Sequence, residues 1–358
     1  MKMLLVTFSD NADHQDTVFG MYERLRQRSD VDVWLLAIKK PKVPLKQDNH
    51  TWLVDCPERP GICKKTFNLP LLLSIIHQIR NECFDAIWFE SLHVWNIPIM
   101  LTVGKKVKTY QVIHEVIPHE GDKQVGGVDF MNKLVCRYAD IIVLRNSRYV
   151  HEMITRYGIN SNRVKHLDLW RRYPDFIPPV HNGRVLFFGR INPYKGADYL
   201  LEIVRLCPEV QFDVIGRVDP QMESTVAELR KEPNVHLKTE YVSDEEMQAA
   251  FIQCDWVVVP YKSASQSGII IDSYKYSRPV LAFNVGAIAE QVSNGKSGFL
   301  IAADDVNEFS KMLKYCMGMP DSLHEDYCCF AYDFGREKYG MDEAVDRFLK
   351  LLKEDEGQ

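Results

Sequence analysis

Two basic residues stand just beyond an apolar run: Arg190 and Lys195, in "FFGRINPYKGADYLLEIVRL" (Phe187 to Leu206). Gly189 precedes the first and Gly196 follows the second. A guanidinium offers a planar fork of donors and an ammonium a compact charge; both suit phosphate oxygens. Glycines let the backbone approach a ligand closely. The segment from Gly196 reads as a helix, and a helix start presents unpaired N–H groups and a positive dipole end. Such a group could hold a diphosphate. Taken alone, it is equally a solvated basic turn.

A second loop has the same form. "DWVVVPY" (Asp255 to Tyr261) runs into "KSASQSG" and then into "GIIIDSYKY". Ser265, Gln266, Ser267 and Gly268 place hydroxyl, amide and backbone donors at a helix N-terminus. Asp272 follows one turn inside an apolar segment. A carboxylate there is costly without a partner; a ribose diol would serve, and so would a nearby Lys or Arg. Gly216, at the end of "VQFDVIG", marks a third strand end on this side.

The first half of the chain carries a different set. "YQVIHEVIPHEGDKQ" (Tyr110 to Gln124) places His114 at a strand end and His119 in the loop beyond. Imidazole titrates near neutral pH and can donate or accept. "TFSDNADHQDT" (Thr7 to Thr17) contributes Asp13 and His14. Each histidine could equally make a structural loop hydrogen bond, and His14 with an Asp could form part of a triad. The dinucleotide and P-loop fingerprints are absent, which counts against dehydrogenases and P-loop NTPases. No Asp-x-Asp pair stands at a suitable strand end, and the nine cysteines form no zinc spacing, so neither metal nor cofactor is expected.

The elements that must position these residues alternate. In the first half the strand candidates are "MLLVTF", "VDVWLLAI", "DAIWFE", "TYQVIH" and "DIIVLR". Helix-length segments such as "HQDTVFGMYERLRQR", "NLPLLLSIIHQIRNE" and "VDFMNKLVCRYA" separate them. The second half repeats the rhythm from "RVLFFG" to "GFLIA". Apolar β-rich runs between helices argue buried parallel strands, and two such sets argue two doubly wound domains. Ligands of such sheets sit beyond the carboxyl ends of the strands, where Arg190 and Lys195 fall. "RRYPDFIPPVHNGR" (Arg171 to Arg184) reads as the linker, with three prolines and no periodicity. "DEAVDRFLKLLKEDEGQ" reads as an amphipathic helix with Val345, Phe348, Leu349, Leu351 and Leu352 on its apolar side.

Composition sets bounds. The chain has 358 residues, 46% hydrophobic and 26% charged, with a net charge of −5. Disorder is not expected and nucleic acid is not an expected partner. The scattered cysteines read as reduced thiols of a cytoplasmic protein. No run reaches the ~18 apolar residues of a membrane span. The first half is mildly basic, with "AIKKPKVPLK" and "GKKVK" as its richest runs. These are solvated faces or contacts to an anionic membrane surface.

"FFGRINPYKG" together with "SGIIIDSYKYSRPVLAFNVGAIAEQVSNGKSGFLI" resembles the C-terminal domain of nucleotide-sugar glycosyltransferase family 4, of GT-B fold. "ADIIVLRNSRYVHEMITRYGINSNRVKHLDL" is similar to the end of that family's N-terminal domain. The resemblance implies two Rossmann-like doubly wound α/β domains facing a cleft, with the C-terminal helix returning to the first. The expected division is 1–172 for the acceptor, 180–335 for the nucleotide sugar and 336–358 for the returning helix. By the same resemblance, Gly189, Arg190, Lys195, Gly216 and Ser265 to Gly268 bind the donor, Asp272 holds its ribose, and Arg190 and Lys195 stabilise the leaving diphosphate. His114 serves catalysis; His119, Asp13 and His14 serve the acceptor.

The implied activity is that of a hexosyltransferase using a UDP- or GDP-sugar, retaining and metal-independent. It would act on a glycan or lipid-linked acceptor in cell-surface polysaccharide synthesis. The place would be the cytoplasm, with peripheral association at the cytoplasmic face of the inner membrane. One departure stands out. The family's Glu-x7-Glu segment has Asp272 at its second position, while the first falls on Ala264 or Ser265, in a Ser-Gln-Ser-Gly loop. A nucleotide-sugar 2-epimerase of similar fold, or a non-catalytic nucleotide-sugar-binding protein, therefore stays open.

Overall fold

The computed structural model describes residues 1–58, 63–104, 106–116 and 125–356. The chain divides into two compact units. One gathers the described residues up to Arg171 with those from Met341 onward; the other is Arg172–Gly340.

The first unit is built on seven parallel strands: β1 (Lys2–Thr7), β2 (Asp32–Ile38), β3 (Thr51–Val54), β4 (Ala86–Phe89), β5 (Lys108–Ile113), β6 (Ile141–Leu144) and β7 (Val164–His166). Their order is β3-β2-β1-β4-β5-β6-β7, so the strand order reverses beside β1. Strands β4 and β6 are buried throughout, as sheets covered on both faces require. The covering helices are α1 (Ala12–Leu25), α2 (Leu69–Glu82), α3 (Asn96–Thr102), α4 (Val125–Tyr138) and α5 (Val150–Tyr157). Asn11 caps α1, its side chain accepting from the Asp13 N–H.

The second unit repeats the design with six parallel strands: β8 (Arg184–Phe188), β9 (Gln211–Ile215), β10 (Val235–Lys238), β11 (Trp256–Val259), β12 (Val280–Phe283) and β13 (Gly298–Ile301). Their order is β10-β9-β8-β11-β12-β13. Its helices are α6 (Ala197–Leu206), α7 (Glu223–Leu229), α8 (Asp244–Gln253), α9 (Gly268–Lys275), α10 (Ile288–Gln291), α11 (Val306–Met317) and α12 (Asp321–Tyr339). The unit boundary at Arg171–Arg172 falls in the segment read as the linker, and part of that segment is held to the second unit. Arg278 is fully buried and donates to the carbonyls of Ile177, Pro178 and Ile252.

Helix α13 (Met341–Glu356) returns to the first unit. Ala344, Val345, Phe348, Leu349, Leu351 and Leu352 enter the same core as Met3, Tyr22, Trp88 and Trp170. Phe348 meets Trp88 edge-on at 4.8 Å between centroids. The expected two-domain α/β architecture with a returning helix is therefore observed. Strands β3 and β7 are missed by pattern because they are short edge strands without clear alternation.

Candidate functional site

In the second unit, β8 and β11 are neighbours, so their carboxyl ends lie side by side. The loop after β8 doubles back on the next strand: the Ile191 N–H donates to the Arg217 carbonyl and the Asp219 N–H to the Ile191 carbonyl. Its single helical turn, Pro193–Lys195, is stitched to the end of β11. The Lys262 N–H donates to the Tyr194 carbonyl at 2.8 Å. Gly196 has φ +69°, and a Cβ there would meet the Pro260 carbonyl oxygen at 1.9 Å. Only glycine brings the two strand ends this close.

Gly189 works in the same way. Its φ is +101°, and a Cβ would lie 2.6 Å from Lys195 Nζ and 3.5 Å from the Ile269 side chain. The Lys195 ammonium is thus folded back over Gly189, beside the start of α9. It is 9% exposed and sits 5.4 Å from the Tyr261 ring centroid. Arg190, next to Gly189, is exposed. Gly216 has a backbone role: a Cβ would stand 2.0 Å from the Gly189 carbonyl oxygen, so the absence of a side chain lets the end of β9 approach this loop.

The polar loop ahead of α9 is held from behind by Gln291. Its side-chain oxygen accepts from the Ser267 N–H at 2.7 Å, and its nitrogen donates to the Ser267 carbonyl at 3.0 Å. Ser265 and Ser267 are buried, while Gln266 and Gly268 are partly exposed. The Tyr261 hydroxyl faces Ser267, yet neither hydroxyl reaches a hydrogen-bonding partner among the described residues. The Asn192 side-chain oxygen is likewise buried without a partner. Burial pushes the Tyr261 phenol far up, so it stays a neutral donor. Asp272 is nine-tenths buried one turn into α9. The structure therefore brings Gly189, Arg190, Lys195, Ser267 and Gly268 to one sheet edge. Sequence reasoning missed Tyr261 and Gln291; "VVVPY" places Tyr261 at its strand end, but nothing local marks Gln291.

The first unit gathers its own group at the carboxyl edge. The His14 and His114 rings stack at 4.4 Å between centroids, 12° from parallel. His14 Nδ1 lies 3.1 Å from Ser9 Oγ. His114 Nε2 lies 2.9 Å from the Glu90 carbonyl oxygen and 3.4 Å from Glu90 Oε1. A carbonyl can only accept, so Nε2 carries the proton and neutral His114 keeps Nδ1 as an acceptor. Asp13, more exposed, is 3.5 Å from the Arg171 guanidinium. His119 lies outside the described residues.

Beneath the histidines is a buried ion pair. Arg145 Nη2 reaches Glu90 Oε1 at 2.5 Å and Oε2 at 2.7 Å, and Trp88 Nε1 donates to Oε2 at 2.9 Å. The guanidinium carbon sits 4.3 Å from the Trp170 ring centroid. Burial alone would raise the Glu90 pKa, but the Arg145 charge and the bonds from His114 and Trp88 outweigh it and hold the carboxyl at about 2. Glu90 and Arg145 were missed by sequence reasoning, although both end apolar strand segments, "DAIWFE" and "DIIVLR".

Comparison with known proteins agrees with this layout. Residues 182–318 match the family model described as glycosyl transferases group 1. A 41.2 kDa protein in the cps region of Klebsiella pneumoniae is 24% identical over 313 residues, covering 79% of this chain and 82% of the relative. The GDP-mannose:glycolipid 4-beta-D-mannosyltransferase of Xanthomonas campestris is 33% identical over 120 residues; the match spans 32% of this chain and 34% of that enzyme. Anabaena Alr3699/HepE, solved in complex with UDP, is 15% identical with a TM-score of 0.73, covering 99% of this chain and 100% of that one. The same protein with UDP-glucose is 16% identical with a TM-score of 0.72. The chain has the GT-B fold and is a glycosyltransferase, and the match to the group 1 model falls within its second unit.

Proposed function

We propose that the second unit binds a nucleoside-diphosphate sugar, UDP- or GDP-linked, and that the first unit holds the acceptor. The observation that carries this is the folding of Lys195 over Gly189 at the start of α9, with Arg190 exposed beside it. Two cationic side chains and a helix N-terminus at one sheet edge suit a diphosphate. The buried Ser267 hydroxyl and Asn192 oxygen still lack partners there, and a polar ligand would supply them. Asp272 would hold the ribose.

The reaction is displacement at the anomeric carbon. The C–O bond to the diphosphate breaks, the C–O bond to the acceptor forms, and the acceptor's proton leaves with the nucleoside diphosphate or solvent. Arg190, Lys195 and the first amides of α9 stabilise the charge that grows on the departing phosphate. That requires no metal. His114 Nδ1 can accept a hydrogen bond from a sugar hydroxyl, with the ring fixed through Nε2. The configuration at the anomeric carbon would be retained.

The relatives support the donor class. The Xanthomonas enzyme is by name a GDP-mannose transferase, and Alr3699/HepE binds UDP and UDP-glucose. The cps-region relative favours a role in cell-surface polysaccharide synthesis. No described helix is long and apolar enough to cross a membrane. Phe67, Leu69 and Leu73 are exposed beside Lys64 and Lys65, which favours a lipid-linked acceptor and peripheral membrane contact.

The test is calorimetric titration of UDP and GDP into the wild type and into Arg190→Ala and Lys195→Ala, followed by transfer assays with a panel of UDP- and GDP-sugars. A charge-assisted hydrogen bond contributes about 1.5–3 kcal/mol, so each variant should lose roughly 10- to 100-fold in affinity. Undiminished binding in both variants would sink the clamp. An epimer formed from donor alone would replace transfer by epimerisation.

A further inference from the structure

At the amino edge of the second sheet, three metal-ligating side chains from separate segments converge. His181 precedes β8, Asp255 precedes β11, and His324 lies in the first turn of α12. Their ligand atoms all lie within 4.8 Å of one another. They line a cavity of about 170 Å³ that Asp321 also borders.

The lone pairs point inward. His324 Nε2 is 2.9 Å from the Asp255 carbonyl oxygen, so that nitrogen carries the proton and Nδ1 is left as a lone pair. This Nδ1 is 3.2 Å from His181 Nδ1. On the outer side, His181 Nε2 is 3.5 Å from Glu325 Oε1. His324 thus directs Nδ1 at the centre with a carbonyl behind Nε2, as metal-binding histidines are oriented, while His181 Nε2 faces Glu325 across 3.5 Å without a hydrogen bond.

The carboxylate supplies the independent observation. Asp255 is 5% exposed; its Oδ2 accepts from the Gly183 N–H at 2.7 Å, while Oδ1 is buried with no hydrogen-bond partner. A hydrogen bond between the two imidazoles would explain their 3.2 Å separation but would leave Oδ1 unsatisfied. A cation satisfies all three groups. Tetrahedral zinc with bonds of about 2.0–2.1 Å places its nitrogens about 3.3 Å apart, close to the observed spacing. His181 has φ +50°, an uncommon conformation for a residue other than glycine, which fixes where its ring can reach.

We propose that His181, Asp255 and His324 bind a divalent transition-metal ion of the zinc class, with the fourth position taken by water or by Asp321, whose Oδ1 is 3.5 Å from His181 Nδ1. Two imidazoles and a carboxylate suit zinc better than calcium or magnesium, which prefer oxygen ligands. The role is structural. The ion ties the segment before β8 to β11 and α12, at the edge of the sheet away from Gly189 and Ser267.

The experiment uses full-length protein without an affinity tag, stripped with a chelator. Co²⁺ is titrated while visible d–d absorption is followed, and Zn²⁺ is then added in competition. We expect one Co²⁺ per chain with the absorption of a tetrahedral site, displacement by Zn²⁺, and a rise of several degrees in melting temperature with Zn²⁺. His181→Asn keeps a residue that tolerates positive φ, and should fold, bind UDP or GDP as the wild type does, and lose at least about tenfold in Co²⁺ affinity. Asp255→Asn should do the same if it folds; if it does not, His181→Asn decides. Absence of saturable Co²⁺ binding in the folded wild type, or unchanged affinity in folded His181→Asn, overturns the proposal.

Discussion

Replacing Glu90 by Gln should destabilise the first unit by several kcal/mol while leaving its shape intact. Glu90 and Arg145 side chains are both fully buried. The Glu90 carboxyl titrates at about 2 against a usual 4.5, which corresponds to about 3 kcal/mol in favour of the folded state. Removing one member of a buried pair typically costs about 3–5 kcal/mol, because the other charge is left uncompensated. Both routes give about 3 kcal/mol, or roughly 6–12 °C in melting temperature for a unit of this size. The sign with pH follows from a depressed folded pKa. The contribution is complete above 4.5 and is lost as pH falls from there toward about 2. The assay is urea unfolding followed by tryptophan fluorescence, since every tryptophan but Trp256 lies in the first unit. Between pH 7 and pH 3 the wild type should lose much of the difference from Glu90→Gln. The double variant Glu90→Gln/Arg145→Met should recover at least about 1 kcal/mol, because it removes the stranded charge. A loss below about 1 kcal/mol in Glu90→Gln, or a double variant no more stable than the single one, would refute the reasoning.

Two further outcomes test the second unit. Gly216→Ala places a Cβ 2.0 Å from the Gly189 carbonyl oxygen at φ +156°, so it should shift the Gly189 loop, lower the melting temperature and weaken UDP or GDP binding roughly tenfold or more. Calorimetry and a thermal melt on one sample check both. Gln291→Met keeps the volume but removes both bonds to the Ser267 backbone, which should cost about 1–3 kcal/mol and reduce nucleotide affinity. In a Trp256→Phe background, where every tryptophan lies in the first unit, the urea transition seen by tryptophan fluorescence should not move.

How much could be read from the chain depended on distance along it. The two parallel sheets, the amphipathic C-terminal helix and the basic turn at Gly189–Gly196 follow from local signals: apolar runs, glycines and one amphipathic repeat; the return of that helix to the first unit is implied by the family resemblance. Lys195 beside Gly189 is also local, six residues apart. What escaped is long-range. Glu90 and Arg145 are 55 residues apart, and Gln291 is 24 residues from Ser267. No period or motif couples such positions; only the strand order does, by placing β4, β5 and β6 side by side. Gly216 illustrates the converse. Its place at a strand end marks it for ligand approach, but the space it leaves open is filled by the Gly189 carbonyl.

The missing carboxylate at Ala264 or Ser265 has an electrostatic consequence. From Ser263 to Gly268 the loop carries no charged residue. Its backbone is held by neutral groups, the Gln291 amide at Ser267 and the Ala287 N–H at the Ala264 carbonyl. Lys262, just ahead of it, is paired with Asp198. In the donor site proposed above, the loop itself therefore adds no carboxylate beside Arg190 and Lys195 that would repel a diphosphate. A glutamate introduced at Ser265 would add a like charge to that of the ligand a short distance from it. The proposed donor site thus offers hydroxyl and amide groups from this loop together with the cations of Arg190 and Lys195. Gln266 is partly exposed between Ser265 and Ser267, and on the proposed donor site Gln266→Ala should change the relative transfer rates from different donor sugars.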